Sequence, residues 1–313
     1  MNMADTDTMI WLDGELVPEE AARVPFLAPA LHYGLAAFEG IRCYSTENGP
    51  AVFRLREHLE RFLNSARIFG ITDLPYSLDD LRNAVHDVIT ANKLNSCYIR
   101  PLVYMSSGPL GLNLDEMKAS VGIAAWEWGT FLGEDAMETG ARLVVSSFTR
   151  HHPNVMMTKA KISGNYANSV MAKTLAYRLG FDEAIMLDPS GLVAECTGEN
   201  IFLVRDGVIY TPSRATILEG ITRDSILTIA RDLGYQTVEE PISRDQLYIA
   251  DEIFLSGTAA ECVPACEVDF RPIGNGKIGP VTREIQRTFF ETVRGNGPRS
   301  ESWLDPVGAH IKA

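Results

Sequence analysis

Lys159 and Lys161 stand two apart in Met156-Met157-Thr158-Lys159-Ala160-Lys161-Ile162-Ser163-Gly164. A lysine whose charge is suppressed becomes an amine nucleophile. In extended backbone the two would share a face, and the residues alone do not choose between them. Glu195 and Glu199 flank Cys196-Thr197-Gly198 ahead of the apolar run 200–204. A carboxylate entering a buried strand needs a partner, for which a protonated ring nitrogen would serve; the alternative is a surface turn. Gly220-Ile221-Thr222 opens a helix, either as an ordinary cap or as a phosphate site on backbone N–H groups. Ser256-Gly257-Thr258-Ala259-Ala260 is a run of small residues after a strand, able to approach an anion closely or simply to turn. Tyr98 and Arg100 alternate on a strand, and an inward arginine must find its acid in the protein or in a ligand.

The elements that must position these groups follow from periodicity. An Asp13-Gly14 turn divides two apolar runs over 9–17, a hairpin signal. A strand over 51–55 leads to a helix over 56–70, with Leu59, Phe62, Leu63, Ala66 and Phe69 on one stripe and Gly70 as its stop. Ser77 N-caps a second helix running to about 92, and strands follow over 97–105 and 120–126. Beyond a glycine-containing connection at 128–137 come a strand over 142–148, a helix over 166–179, strands over 183–187 and 200–211 (the latter turning at Asp206-Gly207), a helix opening at 220 and closed by Gly234, a strand over 252–255, and a last long helix over 279–295. The tail past Gly295 is expected to be only partly ordered. Strands and helices mixed without a regular β-α-β-α rhythm predict an α+β fold. The domains expected are 1–127, a small N-terminal one, and 138–313, a larger one, joined by 128–137.

Composition narrows the function classes. The 313 residues carry a net charge of −13, the wrong sign for tracking nucleic-acid phosphates. Apolar residues make up 46% and no stretch approaches a membrane span, so neither nucleic acid nor membrane is an expected partner, and the address expected is cytoplasmic. Five scattered cysteines are not a disulfide framework, and the C-x3-C pair Cys262 and Cys266 lacks two further ligands, so no metal site is expected. The six histidines show no metal-ligand spacing, and His151-His152 before Pro153 reads as a loop. No G-x-G-x-x-G, G-x4-G-K-[ST], G-x-S-x-G or H-E-x-x-H occurs, which removes the loops that bind nucleotides and the commonest hydrolase arrangements. Seven of the 28 basic residues are lysines, so arginine, suited to bidentate capture of carboxylate and phosphate, outnumbers lysine three to one.

The order of these segments resembles the branched-chain amino acid aminotransferases, pyridoxal-phosphate enzymes of fold type IV. The resemblance rests on His32-Tyr33-Gly34 through Phe38-Glu39-Gly40-Ile41-Arg42, Arg56-Glu57-His58 with Arg61, Tyr98-Ile99-Arg100-Pro101, the stretch 161–166, the stretch 195–202, Gly220-Ile221-Thr222-Arg223-Asp224 and Ser256-Gly257-Thr258-Ala259-Ala260-Glu261. It implies that Lys161 forms the internal Schiff base of pyridoxal 5′-phosphate and moves the Cα proton. It further implies that Glu195 faces the pyridine nitrogen, that Tyr166 bonds the phenolic oxygen, and that Arg61, Ile221, Thr222 and Thr258 hold the phosphate. Phe38, Tyr33, Trp128 and Tyr166 would wall an apolar side-chain site. Arg100 and the Tyr33 hydroxyl would meet a distal carboxylate, and Thr258, Ala259 and Tyr98 the α-carboxylate. Amino acids and 2-oxo acids are the implied small-molecule partners. A homodimer or higher homo-oligomer is implied as well, with Tyr33 and the loop 108–112 reaching a neighbouring site.

Two features depart from the family pattern. Phe131 stands where related bacterial enzymes often have a tyrosine, and the spacing of Cys262 and Cys266 differs from the C-x-x-C redox pair of some animal members. The implied reaction is transfer of the amino group of L-leucine, L-isoleucine or L-valine to 2-oxoglutarate in a ping-pong cycle. D-amino-acid and (R)-amine transaminases and aminodeoxychorismate lyases share Lys161, Glu195 and the phosphate site, and a non-catalytic anion-binding scaffold is the reading from a different class.

Overall fold

A computed structural model describes residues 8–129 and 132–308. The chain forms two compact units. The first takes the described residues as far as Trp128, the segment Ala160–Gly164 and those from Val293 onward; the second takes Gly129–Lys159 and Asn165–Thr292.

The first unit begins with the expected hairpin, β1 (Met9–Leu12) and β2 (Glu15–Pro18), whose turn residues Asp13 and Gly14 both have positive φ. That conformation matches the twist of the strands it joins. Helix α1 (Pro29–Tyr33), β3 (Ala36–Phe38), β4 (Ile41–Thr46) and β5 (Gly49–Phe53) precede α2 (Leu55–Phe69), which Gly70 ends in the left-handed conformation at φ 97°. Helix α3 (Leu78–Ala91) starts with a reciprocal cap: Ser77 Oγ accepts from the Asp80 N–H at 3.2 Å, and the Asp80 carboxylate accepts from the Ser77 N–H at 2.8 Å. The long strands β6 (Cys97–Ser107) and β7 (Lys118–Trp126) pair antiparallel and complete the middle of an eight-stranded sheet. Its core packs Leu59 and Phe62 of α2 and Val85 and Ile89 of α3 against Ile41, Ile99, Val103 and Ile123 of the sheet. Burial of this apolar stripe, rather than helix propensity, is what stabilises the two helices.

The second unit is built on a nine-stranded sheet. The segment expected as a connection, 128–137, includes the start of α4 (Glu134–Thr139), and Ala136 and Met137 join the core there. There follow β8 (Ala141–Val145), α5 (Tyr166–Arg178), β9 (Glu183–Leu187), β10 (Val193–Cys196) and the hairpin β11 (Asn200–Arg205) with β12 (Val208–Pro212), turned by Asp206 and Gly207 at positive φ. Helix α6 (Ile221–Asp232) leads to β13 (Thr237–Glu240), α7 (Arg244–Tyr248), β14 (Glu252–Gly257), β15 (Glu261–Val268), β16 (Arg271–Pro272) and α8 (Pro280–Val293). Pairings β8 with β9, β8 with β15 and β12 with β13 are parallel, and the rest are antiparallel. The fold is α+β, with both kinds of pairing in one sheet.

Two segments depart from the sequence-based expectation. Ala160–Gly164 lies in the middle of the expected C-terminal domain yet belongs to the first unit, because Phe38 N–H donates to the Lys161 carbonyl at 3.0 Å and Ile162 bridges to Ala37 of β3. The described part of the tail past Gly295, residues 296–308, carries regular structure that the sequence pattern does not announce. It forms a short helix, Ser300–Trp303, and a strand, Leu304–Pro306, that pairs with β5. Arg82 holds Asp305 through two hydrogen bonds of 2.6 Å, and Trp303 packs edge-on against Phe53 at 5.8 Å between ring centroids. Those partners lie more than 200 residues upstream, so no local periodicity marks the tail as ordered.

Candidate active site

In the first unit the site is built around one face of α2. His58, Arg61 and Ser65 recur at helical spacing and project from the same side. Ser65 Oγ accepts the Lys161 backbone N–H at 3.0 Å, while the Lys161 carbonyl accepts from Phe38 of β3. The backbone of Lys161 is thus fixed from both sides, which pre-positions its amine. The Lys161 Nζ lies 5.0 Å from the centre of the Phe38 ring. Lys159, two residues away, belongs to the second unit. Its Nζ pairs with Glu219 at 3.2 Å and donates to the carbonyls of Arg214 and Ile217.

Arg61, expected to be a phosphate ligand, is gripped from within the protein. Its Nε donates to Glu39 Oε1 at 2.6 Å and its NH2 group to Oε2 at 2.9 Å, and His58 Nδ1 lies 2.8 Å from the same Oε2. Glu39 and His58 are fully buried. Burial alone would raise the Glu39 pKa, but the Arg61 guanidinium and the His58 hydrogen bond outweigh it and hold the carboxyl far below the usual range. Burial lowers the His58 pKa, and the opposing pull of Glu39 does not restore it. His58 is therefore a neutral ring donating Nδ1–H to an ionised Glu39.

Tyr98, Arg100, Trp126 and Trp128 form a second group. Strand alternation puts Tyr98 and Arg100 on one side of β6, with Ile99 turned into the core. Tyr98 meets Trp128 edge-on at 4.4 Å, and Trp126 stacks on Trp128 at 5.9 Å. The Arg100 guanidinium carbon lies 4.6 Å from the Phe38 ring centre, 5.4 Å from that of Tyr98 and 6.0 Å from that of Trp126. Among the described residues no carboxylate pairs with Arg100, its Nε is buried without a hydrogen-bond partner, and its NH2 group reaches only the Tyr98 hydroxyl at 3.5 Å. The internal salt bridge that would make Arg100 a purely structural residue is absent among the described residues. Gly40 is required by this arrangement: a Cβ there would fall 1.9 Å from the Tyr98 hydroxyl oxygen. Tyr33 is exposed, donates from its hydroxyl to the Leu110 carbonyl at 3.0 Å and has its ring against His32. Phe131 lies outside the described residues.

The second unit brings the remaining residues together around Glu195, which is buried at the end of β10. Arg150 donates to its Oε1 at 2.6 Å; Asn200 Nδ2, at 3.3 Å, and the Leu218 N–H, at 3.2 Å, donate to Oε2. Asn200 also lies against the start of α6, since a Cβ on Gly220 would stand 2.0 Å from its Oδ1. The α6 N-terminus has no side-chain cap, and Thr222 is buried in its first turn beside Ile221. Thr258 and Ala259 sit in the three-residue loop between β14 and β15, and the Ser256 that precedes it pairs with Asn200. Tyr166 is the first residue of α5.

Each unit by itself holds groups suited to one part of a phosphorylated aromatic cofactor. In the first unit an arginine suits a phosphate dianion and a fixed lysine supplies an amine; in the second, buried hydroxyls suit a phosphate and a buried carboxylate suits a protonated ring nitrogen. Buried Ser256 Oγ and the Arg150 Nε have no hydrogen-bond partner among the described residues, polar capacity that a bound molecule can use. Sequence reasoning missed Glu39, His58 and Ser65 as partners of the expected residues, and Arg150 as the partner of Glu195; the stretch 151–153 is the loop it expected. The one local signal was Glu39 itself, an acid inside the otherwise apolar run 36–41.

The chain matches the family model for Amino-transferase class IV over residues 36–268. It is 48% identical over 303 residues to the branched-chain-amino-acid aminotransferase of Pseudomonas aeruginosa, covering 97% of this chain and 98% of that one. Among solved structures it is similar to a branched-chain amino acid aminotransferase of T.th. complexed with N-(5′-phosphopyridoxyl)-L-glutamate, with a TM-score of 0.92, 48% identity and coverage of 96% of this chain and 99% of that one. The same values hold for that enzyme complexed with 4-methylvaleric acid. The chain belongs to the class IV aminotransferases and, within them, to the branched-chain-amino-acid aminotransferases.

Proposed function

We infer that the protein is a pyridoxal-phosphate-dependent transaminase that moves the amino group of L-leucine, L-isoleucine or L-valine to 2-oxoglutarate. The observation that carries the reading is Arg100, a guanidinium held among Phe38, Tyr98 and Trp126 with no carboxylate partner among the described residues. One wall thereby offers an apolar surface to a branched side chain and a cation to the distal carboxylate of glutamate. The relative solved with a phosphopyridoxyl-glutamate and with 4-methylvaleric acid binds one ligand of each kind.

Each residue has a task in that reading. Arg61, the Ile221 and Thr222 end of α6 and Thr258 hold the phosphate, Tyr166 bonds the phenolic oxygen, and Glu195 keeps the ring nitrogen protonated. When bound, the cofactor supplies an electron sink for negative charge developed at the substrate Cα. Lys161 Nζ is the base that accepts the Cα proton, and its fixed backbone limits the positions it samples. Tyr98 and the backbone of Thr258 and Ala259 orient the α-carboxylate. Phe38, Trp128, Tyr166 and Tyr33 of a second copy exclude water around the side chain.

The assembly proposed is a homodimer or a larger homo-oligomer. Phe26, Leu27 and Leu31 are exposed beside Tyr33, and Leu112 is exposed in the loop that Tyr33 contacts, an apolar surface that a second copy would cover. No helix among the described residues is long and apolar enough to cross a membrane. Five free cysteines, four of them buried, support a cytoplasmic location, where thiols stay reduced.

Half-reactions of the cofactor-loaded protein test the reading. L-Leucine and L-glutamate should each bleach the visible absorbance of the cofactor, while D-alanine and an (R)-arylamine should leave it unchanged. Bleaching by the D- or (R)-substrates alone would move the protein to another activity of the same fold. No response to any of the four would make it a binding protein.

A further inference from the structure

The buried Glu39 closes a circuit within the first unit. Its carboxylate takes both donors of the Nε–NH2 edge of Arg61, the Nδ1–H of His58 at 2.8 Å and the Gly40 N–H at 3.2 Å. One of these four contacts falls on Oε1 and three on Oε2, so both carboxylate oxygens are engaged. Arg61 lies one helical turn before Ser65, Ser65 receives the Lys161 N–H, and the Lys161 carbonyl receives the N–H of Phe38, the residue before Glu39. Arginine, lysine and glutamate are thus tied through four adjoining contacts on α2, β3 and the 160–164 segment.

Charge alone would place no carboxylate here. An ionised Glu39 cancels the Arg61 charge and repels a phosphate dianion nearby. Geometry gives the opposite answer, because two hydrogen bonds of 2.6 and 2.9 Å along the Nε–NH2 edge fix the plane of the guanidinium. We propose that Glu39 is a positioning residue for the phosphate end of the cofactor, aligning Arg61 with the lysine at the other end. The inference rests on the reading of Arg61 as a phosphate ligand.

The two views predict opposite signs. If Glu39 acts by position, Glu39→Asp keeps the charge but withdraws the carboxylate by one methylene, and Glu39→Gln replaces an acceptor with a donor facing Arg61 or His58. Both variants should weaken pyridoxal 5′-phosphate binding to the cofactor-depleted full-length protein by about tenfold. Pyridoxal, which lacks the phosphate, should bind within about twofold of the unsubstituted protein. In the Arg61→Met background, Glu39→Asp should add no further loss, since its effect passes through the arginine.

Glu39→Asp binding the cofactor as the unsubstituted protein does, or Glu39→Gln binding it more tightly, would overturn the inference while Arg61→Met still loosened binding. An equal loss of pyridoxal affinity would overturn it too, by showing a general disturbance. If Arg61→Met leaves cofactor affinity unchanged, the phosphate reading of Arg61 fails first and the inference falls with it.

Discussion

The guanidinium of Arg100 lies 4.6 Å from the centre of the Phe38 ring, and the amine of Lys161 lies 5.0 Å from the same centre. One aromatic ring therefore borders both the expected proton acceptor and the cation available to a distal carboxylate. In the function proposed above, glutamate would bring its own partner for Arg100 and leucine would pack on the ring.

Arg100→Leu should then divide the two half-reactions. The glutamate half-reaction should lose about a hundredfold in kcat/KM, the size expected when a charge-assisted pair is removed, while the leucine half-reaction stays within about fivefold. Single-turnover absorbance measurements with each amino acid read this directly. Equal losses would mean that Arg100 supports the wall and reads no carboxylate.

Lys161→Ala should reduce turnover by at least about a thousandfold, whereas Lys159→Ala should change it by less than about twofold. Lys159 is spent on Glu219 and two backbone carbonyls at a half-exposed position, a pair worth at most about 1 kcal/mol. Steady-state rates and the visible spectrum of each variant check the assignment. A spectrally normal Lys161→Ala protein would defeat it.

Arg150→Leu leaves the buried Glu195 without its cation. Removing one partner of a buried pair should cost about 3–5 kcal/mol in unfolding free energy. The cofactor absorbance band should also move if Glu195 holds the ring nitrogen. Urea unfolding and a pH-dependent spectrum separate the two effects. Stability within about 1 kcal/mol of the unsubstituted protein would show that Asn200 and the Leu218 amide suffice for Glu195.

Glu199 lies beside a buried pair, Lys173 with Glu183, so two carboxylates face one ammonium. Burial, reinforced by repulsion from Glu183, pushes the Glu199 pKa well up, so the folded protein keeps a proton there that the unfolded chain releases from about pH 4.5. The folded state binds more protons above that pH, and the stability contribution of this group is therefore lost as pH rises. Glu199→Gln, neutral at every pH, should flatten the fall in the urea midpoint on the alkaline side. An unchanged slope would place the proton elsewhere.

Much of this was legible in the sequence where the determinants are local. The ends of α2 follow from an apolar stripe and Gly70, the start of α3 from Ser77 and Asp80, and the β11–β12 turn from Asp206-Gly207. The order of short segments between Tyr33 and Ala259 was enough to point to the family. Partnerships across sequence were not legible. Nothing near Arg61 names Glu39 as its acid, nothing near Glu195 names Arg150, and nothing near the tail names Arg82.

The sequence by itself determined the element types, the family and a pair of candidate lysines, because spacing, turn chemistry and caps act over a few residues. The tertiary structure decided which lysine is clamped beside Phe38, that Arg100 has no carboxylate partner among the described residues, and which buried acids hold Arg61 and Arg150. Those outcomes depend on groups up to about a hundred residues apart being brought within 3 Å of one another. Burial there makes an unmet charge or polar group costly, and only the folded chain determines which ones are met.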